Sequence, residues 1–175
     1  GALPHMTPTE FIAKWRAAEL KERSASQSHF NDLCALLGII DPIAADPTGA
    51  WFTFEKGASK TSGGEGWADV WRKECFAWEY KGPRKDLDKA FSQLLQYSVA
   101  LENPPLLIVS DMDRIRIHTN WTNTVQEVHE FTLEDLIEVF GESAVVLSMS
   151  AAMDETIESA IERLQITTVN AVKSG

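Results

Sequence analysis

A chain of 175 residues, 44% hydrophobic and 24% charged, is long enough for one domain with a real core and too short for two comfortable ones. Its longest apolar stretches, Pro104 to Val109 and Ala144 to Leu147, fall far short of a membrane span, and the start shows no signal-peptide pattern. A net charge of −10 argues against a free-standing electrostatic DNA binder, while two cysteines, no Cys/His cluster of zinc spacing and no glycine-rich phosphate loop argue against a disulfide framework, a zinc site and a nucleotide-binding loop, and fit a reducing, cytosolic setting.

Gly1 to His5 reads as a cloning remnant, which puts the native start at Met6. Residues 7 to 37 read as helical: Thr7-Pro8-Thr9-Glu10 offers a cap with an early proline, and Phe11, Ile12, Trp15 and Ala18 recur at helical spacing. Ser24 to Ser28 is expected to interrupt this helix before Phe30, Leu33, Cys34, Leu36 and Leu37 resume it and Gly38 stops it. Asp41-Pro42 and Asp46-Pro47-Thr48-Gly49 read as turns, and Trp51 to Glu55 as a strand. A polar glycine loop, Ser59 to Gly66, leads into two short strands, Trp67 to Arg72 and Cys75 to Lys81. Leu87 to Leu101 carries a helical stripe of Leu87, Ala90, Phe91, Leu94, Leu95, Ser98 and Val99. The continuous apolar run Leu106 to Val109 reads as a strand buried on both faces. Arg114 to His118 alternates as a strand, Val125 to Phe131 reads as an edge strand, and Thr132 opens a helix through Phe140 that Gly141 ends. Met153 to Val172 reads as a separate amphipathic helix, part of a C-terminal extension over 142–175. The order predicts an α/β fold with a mixed central sheet flanked by helices.

The chemistry concentrates around Asp69 and Glu79-Tyr80-Lys81. Strand side chains alternate between faces, so Glu79 and Lys81 point together and Tyr80 points away, while Asp69 arrives from the neighbouring strand. Two carboxylates beside a fixed ammonium make an oxygen cage of the kind Mg²⁺ prefers, in which a water can become a nucleophile. An isolated Glu-x-Lys is ordinary on an exposed face. Here Phe76-Ala77-Trp78 and Trp67-Ala68 embed the acids in a buried setting, where charge needs a partner or a metal. The following helix adds Gln93 and Tyr97 four residues apart, on one face. Residues 56 to 89 hold eight of the sixteen basic side chains against six acids, so this window carries +2 and the remainder −12. His29, His118 and His129 have no partner spacing and read as structural or exposed, and the six tryptophans read mostly as core.

Asp69, nine intervening residues, Glu79-Tyr80-Lys81 and then Gln93-Leu94-Leu95-Gln96-Tyr97 resemble the PD-(D/E)xK nuclease superfamily, its RecB-like branch in particular. The wording is closer still to the N-terminal nuclease region of MmeI-like type IIG/IIL restriction–modification enzymes. That likeness is carried by Thr9 to Ile12, Phe54 to Gly57, Gly66 to Trp71, Phe76 to Gly82 and Asn103 to Asp111, and it covers about Met6 to Gly141 as a nuclease domain. The resemblance implies a Mg²⁺-dependent endonuclease, with Mn²⁺ as a substitute, acting on double-stranded DNA in a bacterial or archaeal cytoplasm. Asp69, Glu79 and the Tyr80 carbonyl would ligate the metal, Lys81 would serve the attacking water, and Gln93 and Tyr97 would position the metal water, the lysine or the DNA. A helix acid, Glu22 or else Glu19, would join the metal, and Lys56 and Lys60 would meet phosphates. Methyltransferase and target-recognition domains, and with them the need for S-adenosylmethionine, would lie in further sequence of the same polypeptide. Cutting both strands would call for two copies of the site. A non-cutting interaction module and a structure-selective repair nuclease are the alternatives.

Overall fold

The computed structural model describes residues 4–18, 22–57 and 66–132, without the side chains of 22–24. The expected loop at 59–66 and the helices at 132–140 and 153–172 therefore lie outside the described residues, apart from Gly66 and Thr132.

Among the described residues six strands form one mixed sheet in chain order: β1 (Phe52–Lys56), β2 (Ala68–Arg72), β3 (Phe76–Tyr80), β4 (Leu106–Ser110), β5 (Arg114–Thr119) and β6 (Val128–Thr132). All neighbours are antiparallel except β3 and β4, which run parallel. A parallel pair needs a crossover, and the helix α4 (Leu87–Gln96) supplies it. The predicted α/β architecture is thus observed, with β3 and β4, every residue of both buried, at the centre.

The helices α1 (Pro8–Ala17) and α2 (Glu22–Leu37) cover one face of the sheet. Thr7 caps α1 by accepting from the Glu10 amide at 3.2 Å, with its hydroxyl on the Glu10 carboxylate at 3.0 Å. The break between the helices falls after Ala17, where Ala18 turns extended (ψ 126°), and the expected interruption at Ser24–Ser28 does not occur. Ala25, Ser26, His29 and Phe30 are all buried, and burial of that face outweighs the weak helix preference of serine. Gly38, at φ +71°, ends α2, and Ile39 donates back to the Cys34 carbonyl at 2.9 Å. The stretch read as a turn at Asp41-Pro42 holds one helical turn, α3 (Pro42–Ala45), capped by Asp41.

On the other face, α4 buries Leu87, Ala90 and Leu94 against Trp71, Ala77, Leu107 and Val109. It ends at Gln96, five residues before the expected Leu101. Leu101 is nonetheless buried, at 1% exposure, because the turn after the helix folds it inward and Trp71 Nε1 holds its carbonyl at 2.9 Å. The apolar pattern continues where the helix does not. At the far edge, Gly57 (φ +86°) lies under the Trp67 ring so closely that a Cβ there would stand 2.3 Å from it.

Candidate active site

The β2–β3 register pairs Val70 with Trp78 and Trp71 with Ala77. Alternation then puts Asp69 on the same face as Trp71 and Ala77, the face covered by α4, and Glu79 joins it. Lys81 lies one residue past β3, yet its amide still donates to the Ser110 carbonyl at 2.7 Å, so the extended backbone carries its side chain to that same face. The two carboxylates and the amine thus share one side of the sheet, at the carboxyl end of β3.

Polar contacts fix each member. Asp69 Oδ2 accepts from the Tyr80 amide at 2.7 Å, which ties the β2 carboxylate to the backbone between Glu79 and Lys81. Glu79 is 8% exposed, and a carboxylate in that setting needs a compensating charge. Lys81 Nζ stands 3.9 Å from Glu79 Oε1 and donates to Gln93 Oε1 at 3.3 Å. Gln93 therefore meets the lysine, one of the three partners expected for it. Tyr97 caps the C-terminus of α4 and packs half-buried in the apolar cluster of Trp71 and Leu94. Among the described residues its hydroxyl meets neither the carboxylates nor the lysine. Lys56 Nζ lies 4.2 Å from the Trp71 ring centroid, a cation–π contact. Glu22 opens α2, but its side chain, Glu19 and Lys60 are outside the described residues.

The Tyr80 side chain crosses to the opposite face. Its hydroxyl pairs with His29 Nδ1 at 2.8 Å, and its ring stacks on Trp78 with centroids 5.6 Å apart. Burial pushes the phenol well above its ordinary range and pushes His29 down to about 3, against the raising influence of the Asp111 charge. Both groups are neutral at pH 7. This anchor beneath the site has no sequence signal, because it joins residues 51 positions apart. The same holds for Arg116, which bridges Asp88 of α4 at 2.8 Å and Glu130 of β6 at 2.9 Å, and so ties the start of α4 to the sheet. Asp111, 4% exposed, accepts from the Asp113 and Arg114 amides and shapes the β4–β5 turn.

Among the described residues, no three His, Cys, Asp or Glu side chains gather closely enough to hold a metal by themselves. Asp69 and Glu79 form a two-carboxylate set. Both are hard oxygen donors, and Mg²⁺ is typically held by one or two carboxylates while keeping several waters. No described helix is long and apolar enough to cross a membrane.

The family model described as "MmeI, N-terminal domain" matches residues 6–164. No curated protein and no solved structure gives a match. With nine-tenths of its length inside that match, the chain belongs to the MmeI N-terminal domain family, a domain related to restriction–modification enzymes.

Proposed function

We propose that this domain is the Mg²⁺-dependent endonuclease of a restriction–modification enzyme and hydrolyses phosphodiesters of double-stranded DNA. The observation that carries the proposal is the pairing of Asp69 with the Tyr80 amide beside the Glu79–Lys81–Gln93 contacts, all on one face. Asp69, Glu79 and the Tyr80 carbonyl would hold the metal, with Mn²⁺ as a substitute. A bound divalent cation supplies Lewis acidity and a water of lowered pKa. The protein's own part is positional and electrostatic. The Tyr80 amide orients Asp69. Lys81 sets an ammonium where negative charge grows on the phosphate, a role preorganised donors fill best when they need no rearrangement. Gln93 holds Lys81 through its amide oxygen and so leaves two ammonium hydrogens for other acceptors.

The acidic balance of the chain fits a nuclease whose target is delivered by other domains, a methyltransferase that uses S-adenosylmethionine and a recognition domain. One site cuts one strand, so double-strand cleavage takes two copies, together or in succession. The experiment is substitution in the complete enzyme: Asp69→Ala or Lys81→Ala abolishes cleavage and leaves methylation intact, and retained cleavage refutes the assignment. The rival is a non-cutting, nuclease-like interaction module. It draws on the lack of a third carboxylate beside Asp69 and Glu79 among the described residues. It predicts no cleavage by the unaltered enzyme.

A further inference from the structure

The connection from β3 to α4 carries cations that the carboxylate–lysine set does not use. Residues 82–85 close a reverse turn, with the Lys85 amide donating to the Gly82 carbonyl at 3.2 Å. Arg84 fills its third position at φ +61°, a conformation in which glycine or asparagine is the low-cost residue. Arg84, Lys85 and Lys89 are all exposed, and among the described residues none of the three is matched with a carboxylate. Lys14, Arg114 and Arg116 differ, each holding an acid at 2.6, 3.3 and 2.8 Å.

The two acids of the same stretch are engaged elsewhere. Asp86 accepts from the Asp88 and Lys89 amides as the cap of α4, and Asp88 binds Arg116. Lys89 lies one helical turn before Gln93, on the side of α4 that reaches Lys81. Three exposed cations without a carboxylate partner among the described residues therefore follow Lys81 in the chain from β3 into α4, on a chain whose net charge is −10. A polyanion whose charges repeat at short intervals fits such a row, and the phosphate backbone of a duplex has that form.

We infer that Arg84, Lys85 and Lys89 form a track for the phosphate backbone of double-stranded DNA, leading to Lys81. The inference rests on the nuclease reading for the identity of its polyanion. It assigns contacts to backbone phosphates, so it supplies register and affinity and no sequence preference.

The test is fluorescence anisotropy of the full chain on a labelled duplex, with Ca²⁺ in place of Mg²⁺, across a salt series. Arg84→Gly is the most informative single change, since it removes a charge and relaxes the turn at once. Lys85→Gln and Lys89→Gln accompany it singly and in a triple variant. Lys73→Gln, exposed on the β2–β3 turn at the other end of β3, is the control. Each track substitution is expected to lower the salt slope by about 1 and the triple by about 3, equally for unrelated duplex sequences. Lys73→Gln leaves the slope unchanged. A triple variant with the parental slope, or a chain that fails to bind duplex even at low salt, overturns the track. Asp69→Asn separates the two readings: the track predicts that the triple substitution lowers the salt slope by about 3 in the Asp69→Asn background as in the parent, whatever cleavage shows. Cleavage lost in Asp69→Asn while the triple variant binds normally removes the track alone. Track-dependent binding without cleavage by the complete enzyme removes the nuclease reading alone.

Discussion

On the α1–α2 side of the sheet, Phe30 meets Phe52, Phe76 and Trp78 at centroid separations of 6.1, 6.2 and 5.4 Å, all four rings fully buried. On the α4 side, the central strand β3 presents Glu79 and, one residue past its end at Tyr80, Lys81, half-buried and held by Gln93. One backbone serves both tasks because alternation sends Phe76, Trp78 and Tyr80 to one face and Ala77 and Glu79 to the other. The aromatic side supplies cohesion. The polar side is affordable only because of it, since a buried carboxylate lowers stability unless something else holds the strand in place. Tyr80 joins the two, with its ring and hydroxyl in the core and its amide on Asp69.

If the faces divide this way, substitutions on them separate cleanly. Lys81→Ala should abolish detectable cleavage, a loss of at least about a hundredfold to a thousandfold, while thermal melting barely moves, because its ammonium is at the edge of the site and not in the core. Cleavage assays on the complete enzyme and a melting scan on this domain read the two arms. Trp78→Ala should do the reverse. It deletes a fully buried ring and leaves the Ser110 hydroxyl without its indole donor at 2.8 Å, for a loss of about 3–5 kcal/mol in denaturant unfolding. An intact core in that variant would dissolve the comparison.

A smaller effect comes from pH. The native state keeps His29 neutral, with its pKa lowered from 6.5 to about 3 by burial, whereas the unfolded chain takes up a proton near 6.5. The stabilisation is complete above pH 6.5 and is lost as pH falls from there towards 3. At pH 5 the His29 contribution should be down by about 2 kcal/mol, as measured by urea unfolding at pH 7.5 and 5. His118, lowered to about 4 by burial with Arg116 assisting, acts in the same direction. The slope should be shallower in His29→Asn, and an unchanged slope would remove His29 from the account. Gly57→Ala, far from both faces' centres, should cost about 1–3 kcal/mol from the left-handed φ and the overlap with Trp67, again read by urea unfolding.

Much of this layout is legible in the chain, for reasons that also explain the misses. Period-two alternation in Trp67 to Arg72 and Cys75 to Lys81 placed Glu79 and Lys81 together, and the apolar run from Leu106 marked the buried strand beside them. Local cues located five strands to within one residue at each end and began β6 three residues early, at Val125 instead of Val128. They misplaced the helix break at Ser24–Ser28, because tertiary burial of Ala25 and Ser26 overrides serine propensity. They extended α4 to Leu101, because a turn can bury a leucine as well as a helix can. The partners of the site were less readable. Gln93 was recognised by its spacing to Tyr97, yet the structure brings only Gln93 to Lys81, since the helix ends where Tyr97 caps it. The links from Tyr80 to His29 and from Arg116 to Asp88 join distant positions and leave no periodic trace.

Metal binding tests the division between the faces most directly. Calorimetric titration of this chain with Mn²⁺, beside Asp69→Asn and Glu79→Gln, should show heat of binding in the parent that is lost in both variants, with all three unfolding at similar urea concentrations. Binding that survives in both variants, or a parent that takes up no divalent cation at all, would contradict a metal site at the end of β3.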